Sequence, residues 1–341
     1  MQEIGVGLIG YGLAGRAFHA PYVAVTPGMT LHAVVSRDAA KVHAGLPGMD
    51  VVPDVAALVA RDDVDLVIVA SPDELHAEHA LAALAAGKHV LIDKPFATTL
   101  ADARRIAAEG EARGRIVTVF QNRRWDADFR TLQRLIAGGE LGEIVELESR
   151  FDRFRPTFTD TWKDARTAGP WLDLGPHLID QALTLFGRPI GVTTDLATQR
   201  AGAPAADYVH ATLRYETVRV HLHASKLVAA HGLRFAAHGT RGSWMKQGLD
   251  VQEGKAVAGQ APAGEDWGLD PVPGLLFRPE DGPEPVAFVN EKGDYRLFWQ
   301  ALAEAIRGDG PSPVPASAGV AVLEVIDAGL RSAAERREIL L

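Results

Sequence analysis

Over residues 1–122 the hydrophobic positions fall into short, nearly unbroken runs, separated by longer stretches whose apolar residues recur at helical spacing. Ile4–Ile9, Leu31–Val35, Asp65–Ala70, His89–Ile92 and Ile116–Val119 read as strands. A continuous apolar run such as Leu66-Val67-Ile68-Val69 implies burial on both faces of a sheet. Ala14–Val25, Val55–Ala60, Glu74–Ala86 and Leu100–Arg113 read as the helices between them. Asp73 suits the N-cap before Glu74, and Gly87 the position just past Ala86. Strand alternating with helix predicts a parallel α/β sheet.

The pattern then changes. Asp126–Ala137 reads as a helix ended by Gly138-Gly139, and from Glu143 the chain shows long alternating strands. Val209, Ala211, Leu213 and Tyr215 share one face, and Val218, Val220 and Leu222 form a second run beyond a Glu216-Thr217 hairpin turn. Helices are expected at Pro176–Phe186, Tyr295–Arg307 and Ala318–Ala334, whereas Gln252 to Gly293, rich in Gly and Pro, reads as a long loop. The expected fold class is α/β. A doubly wound parallel-sheet domain spans residues 1–122. An α+β domain with a large, open, mainly antiparallel sheet spans 123–341, its last helix placed to pack back on the first domain. One face of such a sheet is covered by helices. If the other is apolar it also needs cover, and pairing across a two-fold axis supplies it, so a homodimer or homotetramer through the C-terminal sheet is expected.

Composition narrows the function. The net charge of −9 argues against nucleic-acid or anionic-membrane partners. With no cysteine among 341 residues, disulfides, thiolate metal sites and thiol nucleophiles are excluded. No uncharged apolar run approaches membrane-spanning length, and the acidic start enters a strand directly, so a cytoplasmic location is expected.

The first strand breaks into Gly10-Tyr11-Gly12-Leu13-Ala14-Gly15 and then a helix. This is the dinucleotide fingerprint in its required setting. The first glycine makes the tight turn, the second lets backbone approach a pyrophosphate, and the third lets helix pack on strand. The second strand ends in Ser36 and Arg37 where an NAD binder carries an acid, with Lys41 one helical turn on. A hydroxyl and two cations hold a 2′-phosphate, so NADP(H) is favoured over NAD(H). Ser36 as a helix N-cap with two solvated cations is the alternative, and Asp38 is a rival acid. The fourth strand ends in Ser71-Pro72-Asp73, with His76 following, at the edge where ligands bind. Ser71 and Pro72 are placed for ribose or diphosphate. His76 is either a phosphate donor or a half-exposed helix residue.

Asp93-Lys94-Pro95 closes the fifth strand. A lysine there points at the crevice and can stabilise an alkoxide, and a cis Lys94–Pro95 bond is compatible with it. In Asp173-Leu174-Gly175-Pro176-His177, Pro176 opens a helix and places His177 in its first turn. The helix dipole favours neutral imidazole there, the form that accepts a hydroxyl proton, with Asp173 close enough to orient it. A capping aspartate and an ordinary partly buried histidine are the alternative. His221 and His223 share a strand face without a third ligand in sequence, so no metal site is expected.

Taken together, these motifs resemble the glucose–fructose oxidoreductase, inositol dehydrogenase and rhizopine-catabolism family, Gfo/Idh/MocA, over nearly the whole chain. The resemblance implies a Rossmann first domain and a catalytic set of Lys94, Asp173 and His177. In that set His177 is the proton acceptor, Asp173 its partner and Lys94 the substrate and cofactor anchor. Asp93 stands where Glu is usual and Asp73 where Asn is frequent. Phe18-His19-Ala20-Pro21, Gln121-Asn122-Arg123-Arg124-Trp125-Asp126 and Phe154-Arg155-Pro156 resemble a branch that contains NADP-dependent scyllo-inositol dehydrogenases. That likeness implies cofactor contacts at Gln121 and Asn122, and a polyol site lined by Arg153, Arg155 and Trp162. The implied activity is interconversion of an alcohol and a ketone or lactone on a cyclic polyol or sugar, scyllo-inositol and its inosose first. The rival is a non-catalytic dinucleotide- and sugar-sensing regulatory protein on the same fold.

Overall fold

The computed structural model describes residues 3–157, 169–230 and 232–341, which form two compact units. The first takes in residues up to Asn122 together with Gln252–Trp267 and Asp294–Leu323. Its six strands are β1 (Ile4–Ile9), β2 (Met29–Val35), β3 (Asp50–Val52), β4 (Leu66–Val69), β5 (His89–Ile92) and β6 (Val117–Val119). All neighbours are parallel, in the order β3-β2-β1-β4-β5-β6. Every residue of β1 and β4 is buried, as two covered faces require. Asp38, Asp54 and Thr99 start the helices Ala39–Gly45, Val55–Val59 and Leu100–Ala112 by accepting the amide hydrogens of Lys41, Ala57 and Asp102.

Two local expectations are corrected here. Asp73 is not an N-cap. It is buried as the first residue of a 3-10 turn, Asp73–Leu75, which leads into the helix His76–Ala85, and Pro72 before it offers no capping side chain. Nor is Ala14–Val25 one α-helix. Gly15–His19 forms a π-helical turn that passes into the helix Ala20–Val25. Pro21 is the physical reason: it has no N–H to continue the i→i−4 ladder, and the amide of Ala20 reaches back to Gly15 O instead. Gly87 does stand past its helix, at φ +75°, with its amide on Leu84 O.

The second unit comprises Arg123–Val251, Gly268–Gly293 and Glu324–Leu341. Its strands are β7 (Ile144–Arg150), β8 (Gly191–Ala197), β9 (Tyr208–Arg214), β10 (Arg219–Ser225), β11 (Leu233–Gly239), β12 (Ser243–Gln247), β13 (Gly274–Phe277), β14 (Val286–Phe288) and β15 (Ile339–Leu340). They form one sheet in the order β14-β13-β12-β11-β7-β10-β9-β8-β15. Only β7 and β10 run parallel. Glu216-Thr217 closes the β9–β10 hairpin, with Tyr215 donating to Val218 O at 3.1 Å. The Gln252 to Gly293 stretch is corrected from loop to structure: it holds most of the helix Val251–Val257 and both β13 and β14.

Val209, Ala211, Leu213, Val220 and Leu222 are fully buried, and the short helices Gly169–Asp173 and Gly175–Phe186 pack on β9 and β10. The alternate positions are polar. The His210 ring stacks on His221 with centroids 5.8 Å apart, and His223 Nδ1 meets Asp152 Oδ1 at 2.8 Å. Burial pulls the His210 pKa down, and the charges of His221 and His223 pull the same way. An apolar second face, which the pairing argument requires, is therefore not found at these positions. Among the described residues no helix is long and apolar enough to cross a membrane.

Candidate functional site

In the first unit the site is built at the carboxyl ends of the strands, where the order reverses between β1 and β4. Gly10 has φ +98°, and a Cβ there would stand 2.4 Å from Ala70 O. At Gly15 a Cβ would meet Gly10 O at 2.2 Å. Gly12 differs: nothing lies within 4 Å of its Cβ direction, and it is exposed together with Leu13. The outer glycines are thus demanded by packing, while the middle one opens onto free space, as backbone approach by a diphosphate requires. Ala14 follows half-buried, and Tyr11 lies buried against Gly45. These residues fit a dinucleotide.

At the end of β2, the Asp38 carboxylate is engaged as the N-cap of Ala39–Gly45, accepting the Lys41 amide at 2.9 Å. Ser36 Oγ accepts the Asp38 amide at 3.1 Å. Arg37 and Lys41 are exposed and pair with no carboxylate among the described residues. Ser71 and Pro72 follow β4. The Ser71 hydroxyl lies 3.0 Å from His79 Nδ1. His76 is buried, and its ring meets backbone rather than open space: Nδ1 is 2.8 Å from Pro95 O and Nε2 is 3.0 Å from Ser71 O. Its nitrogens brace two loops. Gln121 and Asn122 lie buried just beyond β6.

Asp93 and Lys94 follow β5, and the Lys94–Pro95 peptide is cis. Burial by itself raises the Asp93 carboxyl. The ring of His19, with Lys94 and His76 adding charge, more than offsets this and holds it below the usual carboxylate range. Asp93 Oδ1 accepts the Lys94 amide at 2.7 Å.

In the second unit, Asp173 ends the helix Gly169–Asp173, and His177 lies in the first turn of Gly175–Phe186. His177 is buried, its amide on Leu174 O at 3.1 Å and its ring 6.3 Å from that of Phe151. Three guanidinium groups surround the Phe151 ring: Arg234 at 4.2 Å, Arg123 at 5.0 Å and Arg153 at 5.9 Å. The structure thus brings Arg153 and His177 to the same aromatic ring. Arg155 is exposed, and its carbonyl accepts from Arg200. Trp162 lies outside the described residues.

The helix that carries His177 is clamped one turn on. Arg124 grips the buried Asp180 through two bonds of 2.8 and 2.7 Å. Gln181 donates to Arg123 O and accepts from Arg234, whose Nε stands 3.3 Å from Asp128 Oδ2. Burial pulls the Arg234 guanidinium down, with Asp128 and Asp126 opposing. Sequence reasoning does not single out Arg124, Asp180, Gln181 or Arg234 as functional. The signal is there for one of them: Arg234 interrupts the apolar run Leu233 to Ala237. Among the described residues no group of three or more His, Asp or Glu side chains is placed to hold a metal ion.

Residues 4–121 match an oxidoreductase family's NAD-binding Rossmann fold, and residues 133–341 match its C-terminal alpha/beta domain. The chain belongs to the Gfo/Idh/MocA oxidoreductase family. The oxidoreductase YdgJ of Escherichia coli K12 is 46% identical over 100% of this chain and 99% of its own. IolW of Bacillus subtilis, named scyllo-inositol 2-dehydrogenase (NADP(+)), is 35% identical over 100% of this chain and 97% of its own. The structure of an oxidoreductase from Yersinia pestis superposes with a TM-score of 0.96 at 41% identity, covering 100% of this chain and 97% of that one. This family member is therefore an oxidoreductase with a dinucleotide-binding Rossmann domain, and the oxidation of CH–OH groups is the chemistry of its relatives.

Proposed function

We propose that the protein is an NADP(H)-dependent dehydrogenase that interconverts an alcohol and a ketone or lactone on a cyclic polyol or sugar, with scyllo-inositol and its inosose as the first pair. The observation that carries the substrate class is the full-length similarity to IolW. The NADP preference is supported by the end of β2, where Arg37 and Lys41 are exposed and pair with no carboxylate among the described residues, and the nearby acid Asp38 is engaged as a helix cap.

In this reading Lys94, Asp173 and His177 act on one substrate. His177 takes the proton from the hydroxyl that is oxidised. Lys94 holds the same oxygen and stabilises the negative charge that develops on it. Asp173 orients the imidazole or binds a neighbouring hydroxyl. The bound dinucleotide supplies the acceptor for the hydride that leaves the carbon. Gln121, Asn122, Ser71 and Pro72 position that cofactor. Arg153, Arg155 and Trp162 are the candidates for holding the remaining hydroxyls, since a buried hydroxyl needs a partner.

A panel of inositols and aldoses, followed at the nicotinamide absorbance with NADP and with NAD, tests the reading. Turnover of a cyclic polyol with NADP preferred is the expected result. Preference for NAD removes the Arg37 argument. No turnover of any polyol or sugar removes the substrate class.

A further inference from the structure

The loop that carries Lys94 is braced by two buried histidines from different parts of the chain. His76 holds it on one side through Pro95 O. His19 reaches it through Asp93. It is the last residue of the π-helical turn and is fully buried, with Phe120 and Trp299 ring centroids at 4.6 and 5.8 Å. Among the described residues its Nδ1 has no hydrogen-bond partner, and its Nε2 has none at ordinary hydrogen-bond geometry. A buried imidazole without such partners costs free energy, so packing alone favours an apolar ring at this position.

What the imidazole adds is a link to one carboxylate. His19 Nε2 stands 3.5 Å from Asp93 Oδ2, within ion-pair range. The other oxygen, Oδ1, accepts the amide of Lys94 at 2.7 Å. One carboxylate therefore joins the buried ring to the backbone from which the Lys94 side chain springs. The π-helical turn forced by Pro21 sets the register in which residue 19 faces Asp93.

We propose that His19 is a positioning residue for Lys94: through Asp93 it fixes the Lys94 backbone and so the direction of the amine. This rests on the reading that Lys94 touches the reacting oxygen. His19 has no exposure, so in this proposal it acts through Asp93 and not by direct contact with substrate. Its leverage is geometric, because an ångström of misplacement at a reacting group costs roughly 100-fold in rate.

The full-length enzyme, reductively methylated with 13C-formaldehyde, reports the Lys94 amine as a single NMR resonance, assigned by its loss in Lys94→Met. His19→Phe keeps the aromatic packing and removes the nitrogens. We expect it to shift or broaden the Lys94 resonance while the other lysine signals stay in place. Asp93→Asn should move the same signal, and the double variant should add little to either change, as residues acting through one contact do. His19→Asn, which restores a polar atom, should return the signal part-way. With scyllo-inositol and NADP, kcat should fall about tenfold in His19→Phe, with the melting temperature and NADPH affinity nearly kept. A Lys94 resonance unmoved in both His19→Phe and Asp93→Asn overturns the inference. Normal turnover in Lys94→Met instead overturns the role given to Lys94, and the resonance still tests the link to His19.

Discussion

His177, the proposed base, is firmly held. Its backbone is fixed in the first turn of Gly175–Phe186, its ring stands against Phe151, and Asp180 and Gln181 tie the next turn to Arg124 and Arg234. None of these neighbours belongs to the glycine turn. Removing the imidazole should therefore separate chemistry from cofactor binding. In His177→Ala we expect kcat to fall by about 100- to 10,000-fold, the usual worth of a positioned base, while the NADPH dissociation constant from fluorescence titration changes less than about twofold. An equal loss of both would take His177 out of the proton transfer. Arg37 poses the converse case. It is exposed and pairs with no carboxylate among the described residues, so its effect should appear in the choice between NADP and NAD and leave the fold untouched.

At the scale of elements, the parallel sheet was legible in the sequence because its signal is redundant. β1 and β5 run over the residues that their apolar runs mark, since strands buried on both faces favour apolar residues, with only the half-buried His89 at the start of β5 departing from this. The short β3 carries too few residues to show a period. β13 was hidden for another reason. Its Gly274 reads as a loop residue, yet a Cβ there would stand 2.1 Å from Trp244 Nε1, so the glycine serves close packing inside a strand. Gly268, in the turn before β13, is likewise demanded by close packing: a Cβ there would meet Gly293 O at 1.7 Å. Among the candidate site residues, the glycines, Lys94 and His177 are visible as motifs. The clamp of Arg124 on Asp180 is not, because it joins residues 56 apart in sequence.

The join between β5 and β6 carries a pH dependence. His89 Nδ1 accepts the amide of Ile116 at 3.0 Å, which the ring can do only while that nitrogen is unprotonated. Burial lowers the His89 pKa, the charge of Arg115 adds to this, and Asp65 opposes it. With the folded value below the unfolded one, the unfolded chain binds more protons in between. The stabilisation is thus present above the ordinary value of about 6.5 and is lost as the pH falls through the depressed one. Asn at this position offers a carbonyl acceptor that does not titrate. The stability of His89→Asn should therefore decline less than that of the wild type between about pH 7.5 and 5.5, by about 1 kcal/mol, one hydrogen bond, read as a smaller fall in melting temperature. Parallel melting curves for the two proteins would assign the acid sensitivity elsewhere.

For the whole molecule, the dinucleotide-binding unit is not one contiguous piece of chain. Its sheet is complete by Val119, but its core is not. Tyr295, Phe298 and Trp299, all fully buried, come from the distant segment Asp294–Leu323 and close an aromatic cluster with His19, Tyr22 and Phe120. The same segment caps β6, where the Val119 amide and the Thr118 hydroxyl both donate to Val314 O. An aromatic side chain buries ~150–250 Å², or about 4–6 kcal/mol each, against a whole-domain stability of about 5–15 kcal/mol. Losing three leaves nothing to hold a fragment of residues 1–122 together. That fragment should show no cooperative thermal transition by circular dichroism, a collapsed amide NMR spectrum and no enhancement of NADPH fluorescence, although it keeps every residue of the glycine turn. Its His19 would lack Trp299 on one side, so even a partly folded fragment should fail to hold Asp93 and Lys94 in place. A sharp melt with NADPH bound would show instead that β1–β6 and their own helices suffice. The aromatic segment would then be a later addition to an autonomous domain and not a part of its core.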